Sequence, residues 1–112
     1  MDERFRADAL EILRAGIAAA EPYAAVRRAL RLEDGAVRVG EERIDLPYVG
    51  RVWLVGAGKA AAGMARAVVD VLGARVAGGA VTAPDGAAPG PLGRVETWEA
   101  AHPVPDTRGL AG

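Results

Sequence analysis

Cysteine, serine, asparagine and glutamine are all absent from this 112-residue chain. Without cysteine there is no disulfide, no thiolate metal site and no cysteine nucleophile. Without serine, a serine-nucleophile mechanism has no residue to use, and the aliphatic hydroxyls come down to Thr82, Thr97 and Thr107. Lysine is nearly as scarce: thirteen of the 14 basic residues are arginine, and the lone lysine is Lys59. A GC-biased coding sequence accounts for that skew and draws attention to the one lysine retained. Charge of a single sign is missing too, with 14 basic residues against 15 acidic ones and a net charge of −1. Neither a basic face nor a basic tail is present for a nucleic acid or an anionic membrane. No apolar run approaches the ~18 residues of a membrane-spanning helix. The opening Met1-Asp2-Glu3-Arg4 lacks the basic-then-apolar order of a signal peptide. What remains is a chain of single-domain length, 51% apolar, which the composition places as a cytoplasmic α/β domain with a core of its own.

The residues that are present divide the chain into three parts. Helical spacing predicts an amphipathic helix over residues 3 to 20, with Phe5, Ala9, Ile12, Leu13, Gly16, Ile17 and Ala20 on one face. Glu21-Pro22 breaks it and starts another, because proline suits a first helical position. In that second helix Tyr23, Val26 and Leu30 form a stripe, and Arg27, Arg28 and Arg31 face outward. This helical lead covers 1–32. Glu33-Asp34-Gly35 is a turn signal. Residues 36–39 and 43–46 then alternate around Gly40-Glu41-Glu42, which predicts a small hairpin over 36–46 closed by Pro47. From Arg51 to Gly112 the pattern is α/β. Val52 to Val55 reads as a strand buried on both faces. A helix is predicted over 59–72 with Gly73 as its stop. Strands follow over 76–82, weakened by Gly78-Gly79, and over 94–99, separated by a Pro/Gly-rich loop. Trp53 and Trp98 are expected in or near the core. A parallel sheet needs helices over its face, yet only Thr107 to Gly112 follow the third strand. Asp106 or Thr107 looks like the cap of a helix barely begun. The expectation is the beginning of a longer domain.

Two constellations carry chemistry. The first is Gly56-Ala57-Gly58-Lys59-Ala60 between strand and helix. The first turn of a helix leaves N–H groups unpaired and carries partial positive charge. Glycines there admit a ligand close to the backbone, and phosphate suits such a place. A lysine at a helix start is unfavourable by roughly 0.3–1 kcal/mol until an anion stands opposite. The stretch is not a Walker A loop, since Ala60 follows the lysine and Trp53 stands where the first glycine belongs. Gly56, Gly58 and Ala61 do match Gly-x-Gly-x-x-Ala, which leaves an NAD(P)-dependent reductase open. The acidic partner of that fingerprint has only Asp85 as a candidate. Tight strand–helix packing is the plain alternative for the glycines. The second constellation is His102-Pro103-Val104-Pro105-Asp106, a stiff loop holding the lone histidine and an acid. It would lie on the same sheet edge as the glycine loop, where open α/β sheets bind ligands. A rigid connection capped by Asp106 is the alternative there. No set of metal-binding carboxylates stands out.

Together, Val55-Gly56-Ala57-Gly58-Lys59-Ala60-Ala61-Ala62-Gly63-Met64-Ala65, Ala80-Val81-Thr82 and Glu99-Ala100-Ala101-His102-Pro103-Val104-Pro105-Asp106 resemble the N-terminal region of the type II glycerate kinases. The leading helix and hairpin fit as well, so the resemblance covers almost the whole chain. It implies a Rossmann-like domain that faces a second domain across a cleft. It also implies ATP- and Mg-dependent transfer of phosphate to glycerate, giving 2-phosphoglycerate. Carried over by position, Gly56, Gly58, Lys59 and Ala60 would hold the nucleotide. Lys59, His102 and Asp106 would form the catalytic wall. Where the family often has a Gly-His-Gly-like element, this chain has Ala83-Pro84-Asp85-Gly86. The partners implied are glycerate and a nucleotide, with no nucleic acid and no membrane; a homo-oligomer is compatible with the sequence. The 112 residues alone are expected to lack kinase activity, and a non-catalytic anion-binding module is the third reading.

Overall fold

The computed structural model describes residues 2–46 and 51–112; the closure expected at Pro47 lies outside them. Helix α1 spans Glu3–Ala19, and its N-cap Asp2 accepts a hydrogen bond from the Arg4 N–H at 3.2 Å. None of its residues is buried, so the stripe of Phe5, Ile12, Leu13 and Ile17 is open to solvent. Helix α2 follows over Pro22–Ala29 with proline in its first turn. Glu21 caps it by accepting from the N–H groups of Tyr23 and Ala24 at 3.1 and 2.7 Å. These bonds, that from Ala24 first, hold the Glu21 carboxyl below its usual range. Among the described residues no helix is long and apolar enough to cross a membrane.

The small sheet is larger than the expected hairpin. Strands β1 (Leu30–Glu33), β2 (Ala36–Val39) and β3 (Glu42–Asp45) form an antiparallel sheet in that order. Leu30, placed above on the α2 stripe, instead opens β1. Its spacing from Val26 suits a helix, but Leu30-Arg31-Leu32-Glu33 also alternates. The alternation prevails because Asp34 and Gly35, both at positive φ, form a tight turn that pairs Glu33 with Ala36.

The second sheet is parallel, in the order β4-β5-β6, from Val52–Ala57, Val76–Pro84 and Val95–Ala100. Helix α3 (Ala61–Leu72) crosses between β4 and β5 and stops at Gly73, whose φ is 57°. The β5–β6 loop runs over the same side, where Gly93 approaches Val69 and Leu92 packs on the core. The core lies between α3 and the sheet: Val81 and Val95 are fully buried, with Ala61, Ala65, Leu72 and Val76 around them. Leu30 and Val37 extend it to the small sheet. Tyr23 fastens α2 to α3 by donating its hydroxyl to Asp70 at 2.7 Å beneath the Arg66 guanidinium, 4.3 Å from the ring centre.

Three expectations need correction. β4 is not buried on both faces, and the tryptophans are not core residues: Trp53, Val55 and Trp98 are 63%, 80% and 41% exposed. The reason is topological, since both connections cross on the α3 side and leave the opposite face bare. Nor do Gly78 and Gly79 weaken β5. Gly79 has φ 155°, and a Cβ there would overlap the Leu54 carbonyl. At Gly78 a Cβ would stand 2.8 Å from the Trp53 ring. The close pairing of β5 with β4 requires Gly79, and Gly78 leaves room for the Trp53 ring.

A short helix α4 (Arg108–Ala111) follows β6. Of the two cap candidates Thr107 stands at the N-cap, without a side-chain bond, and the Asp106 carboxylate just before it accepts from the Arg108 N–H at 3.1 Å.

Candidate anion-binding site

The turn between β4 and α3 is set by strand and helix geometry. β4 runs to Ala57, and α3 does not begin until Ala61, so Lys59 and Ala60 stand in the turn rather than in the helix. Gly58 takes φ 117°, a region unfavourable to any other residue. Gly56 is under no such demand, because a Cβ there would make only ordinary contacts of 3.8 Å or more with Val81 and Ala61. The Gly58 N–H donates to the Thr82 carbonyl at 3.1 Å, and the Ala61 N–H donates to the Gly58 carbonyl at 3.2 Å. Those two amides are therefore committed to the fold. Among the described residues the N–H groups of Lys59 and Ala60 have no backbone partner.

Lys59 is exposed and takes part in none of the ion pairs among the described residues. Together with Gly56, Gly58 and Ala60 it borders a cavity of about 380 Å³, whose wall also includes Val26, Leu54, Val55, Ala61, Met64 and Val81. The arrangement is an apolar hollow rimmed by a glycine turn and a single cation. An anion meeting Lys59 and the two free amides would be bound by charge-assisted hydrogen bonds, stronger than neutral ones.

His102 and Asp106 lie elsewhere on the same edge. Their loop follows β6, and β5 stands between it and the glycine turn. At ~4.8 Å between neighbouring strands, the two loops start about 10 Å apart. Neither His102 nor Asp106 borders the cavity with Lys59. His102 is exposed on a cis bond to Pro103.

Asp106 is tied by a residue that the sequence reading passed over. Arg108 meets Asp85 with two bonds of 2.6 and 2.7 Å, and Asp106 through Nε at 2.9 Å. Its guanidinium holds both carboxyls below the usual aspartate range, chiefly through these side-chain hydrogen bonds, and its own pKa is raised in return. Asp85 is further placed by its N–H, which donates to the Ala100 carbonyl at 3.1 Å. This cluster joins the loops after β5 and β6. The Asp106-x-Arg108 spacing hinted at one half of it, whereas Asp85 lies 23 positions from Arg108 and gave no local signal. Among the described residues no group of three acidic, histidine or cysteine side chains could hold a metal ion.

The family described as a domain of unknown function, DUF4147, matches residues 8–112. The chain belongs to this family. Curated relatives of the DUF4147 chain include a glycerate 2-kinase of Pyrococcus horikoshii, 34% identical over 92% of this chain and 22% of the relative. A D-glycerate 2-kinase of Thermotoga maritima is 42% identical over 62% of this chain and 16% of the relative. Among solved structures, a Pyrococcus horikoshii protein superimposes with a TM-score of 0.80 at 33% identity, over 99% of this chain and 24% of its own. A Thermotoga maritima glycerate kinase gives a TM-score of 0.71 at 30% identity, over 98% and 23%. The resemblance to glycerate 2-kinases expected from the motifs is thus borne out, and the DUF4147 chain spans less than a quarter of the length of these relatives.

Proposed function

We propose that the chain supplies one wall of the active site of a glycerate 2-kinase, with the Gly56–Ala60 turn and Lys59 receiving the phosphates of ATP. The observation that carries this reading is the uncommitted state of that turn. Two amides and the lone lysine have no partner within the described fold, in a chain whose relatives are glycerate 2-kinases. Phosphoryl transfer asks a protein mainly for positioning and charge neutralisation. Lys59 is suited to the second task, and the amides of Lys59 and Ala60 to the first. ATP, when bound, supplies the phosphoryl group that a glycerate hydroxyl accepts. The Mg ion expected with it finds no ligand set among the described residues, and Asp85 and Asp106 are paired with Arg108.

Occupation of Asp85 also bears on the NAD(P) reading. A ribose-binding acid must offer its oxygens to the ligand, and both Asp85 oxygens are held by Arg108. Titration of the 112-residue chain with ATP and with NADH, followed by calorimetry, tests the proposal. ATP binding that weakens in Lys59→Ala and returns partly in Lys59→Arg supports it. Binding of NADH in preference to ATP, or ATP binding indifferent to Lys59, overturns it.

A further inference from the structure

We infer that Arg108 is a positioning residue for His102, and that Asp85 and Asp106 act through it to fix the histidine loop rather than on a ligand. The loop cannot hold itself. Among the described residues, positions 102–105 make no backbone hydrogen bond. Pro103 and Pro105 carry no N–H and fix only their own φ, so they stiffen the segment without tying it to the sheet. His102 is exposed, and packing does not hold it either.

What holds the segment lies at its two ends. On the near side, the Asp85 N–H donates to the Ala100 carbonyl at 3.1 Å. The Ala101 N–H, next to His102, acts on the Asp106 carboxyl, whose pKa is lowered chiefly by Arg108 and further by that amide. On the far side, Arg108 engages two acids with three nitrogens. Its Nη1 and Nη2 meet the Asp85 oxygens at 2.6 and 2.7 Å. Its Nε and Nη2 meet one Asp106 oxygen at 2.9 and 2.8 Å. The other Asp106 oxygen accepts from the Arg108 N–H. Single exposed ion pairs contribute little, but a bidentate fork within a network does hold its geometry. All four carboxylate oxygens are thereby engaged, and the loop after β6 is pinned to the loop after β5. The group that the loop presents is the His102 imidazole. Asp106, placed with Lys59 and His102 in a catalytic wall by resemblance, becomes a brace. None of this depends on what the Lys59 turn binds.

Nitrogen-relaxation NMR on the 112-residue chain tests the inference. The His102 amide should show an order parameter near the ~0.85 of rigid backbone. In Arg108→Ala it should fall below ~0.6, with the amides of 52–61 and the melting temperature unchanged. The imidazole Cε1–H line, unambiguous because His102 is the lone histidine, should move with it. Arg108→Lys should not restore either signal, because an ammonium keeps the charge but lacks the fork that reaches both acids. Asp85→Asn leaves the main-chain bond to Ala100 in place; it should lower the order partway, and it carries the test if the alanine variant fails to fold. A His102 order parameter unmoved in Arg108→Ala overturns the inference, as does full recovery in Arg108→Lys. Loss of order shared with 52–61 also overturns it, since Arg108 would then support the whole sheet rather than one loop. Failure of ATP to bind would remove the phosphate reading of Lys59 and leave these outcomes as they stand.

Discussion

The turn after β4 and the pair of loops after β5 and β6, all at the carboxyl edge of the parallel sheet, have opposite characters. The turn after β4 leaves its cation and two amides unused, while the loops after β5 and β6 are bound to each other by Arg108 between Asp85 and Asp106. Charge near a sheet edge is therefore not a sufficient sign of a binding site. What separates the two is whether the fold has already consumed the polar groups. On the proposed reading, the lysine with no counter-charge beside a cavity awaits a ligand, whereas the acids locked to an arginine hold a loop still.

Gly79→Ala should have the largest effect, because β5 supports both loops. The added Cβ would overlap the Leu54 carbonyl, and a loss on the order of 4 kcal/mol or more is expected for such a clash. Circular dichroism should show no cooperative melt, and both loops should lose order together. Next comes Lys59→Ala. It should weaken ATP binding by about tenfold or more, the equivalent of one charge-assisted hydrogen bond, without moving the melting temperature. Arg108→Ala should do the reverse. Hydrogen exchange should quicken over 101–112, while ATP affinity stays within about twofold, as for sites that share no partner. A large loss of ATP affinity in Arg108→Ala would show that the two loops act as one site.

Acid should produce the smallest change. Asp85 and Asp106 have folded pKa values below the ordinary aspartate value of about 3.9. Their pairing with Arg108 is therefore fully present above that value and is lost as the pH falls through the lowered ones. Protection of the 101–112 amides, taken relative to their intrinsic exchange rate at each pH, should hold constant from neutrality to about pH 4 and fall only below it. Loss of protection near pH 6 would mean that the acids are not paired as described.

Much of this was legible in the residues. The apolar run before Gly56, the helical stripe ending at Gly73 and the alternation after Arg94 located β4, α3 and β6, because each rests on local periodicity. Strand β1 was missed because Leu30 satisfies both helical and strand spacing, and only the geometry of the Asp34-Gly35 turn decides. The glycines of β5 read as a weakness, since nothing local reveals how closely β4 approaches. The tryptophans read as core, since periodicity shows which residues share a face and not whether another element covers it. At the site, the glycine–lysine turn was legible from composition and position. Arg108 was not, because its meaning depends on an acid on another strand.

The most direct test of the central claim is phosphorus NMR of ATP titrated with the 112-residue chain, alongside amide shifts in the protein. The account predicts that the phosphate resonances move together with the amides of Lys59 and Ala60, and that Lys59→Ala removes both responses. Phosphate shifts that persist in Lys59→Ala, or that track the amides of 101–108 instead, would contradict it.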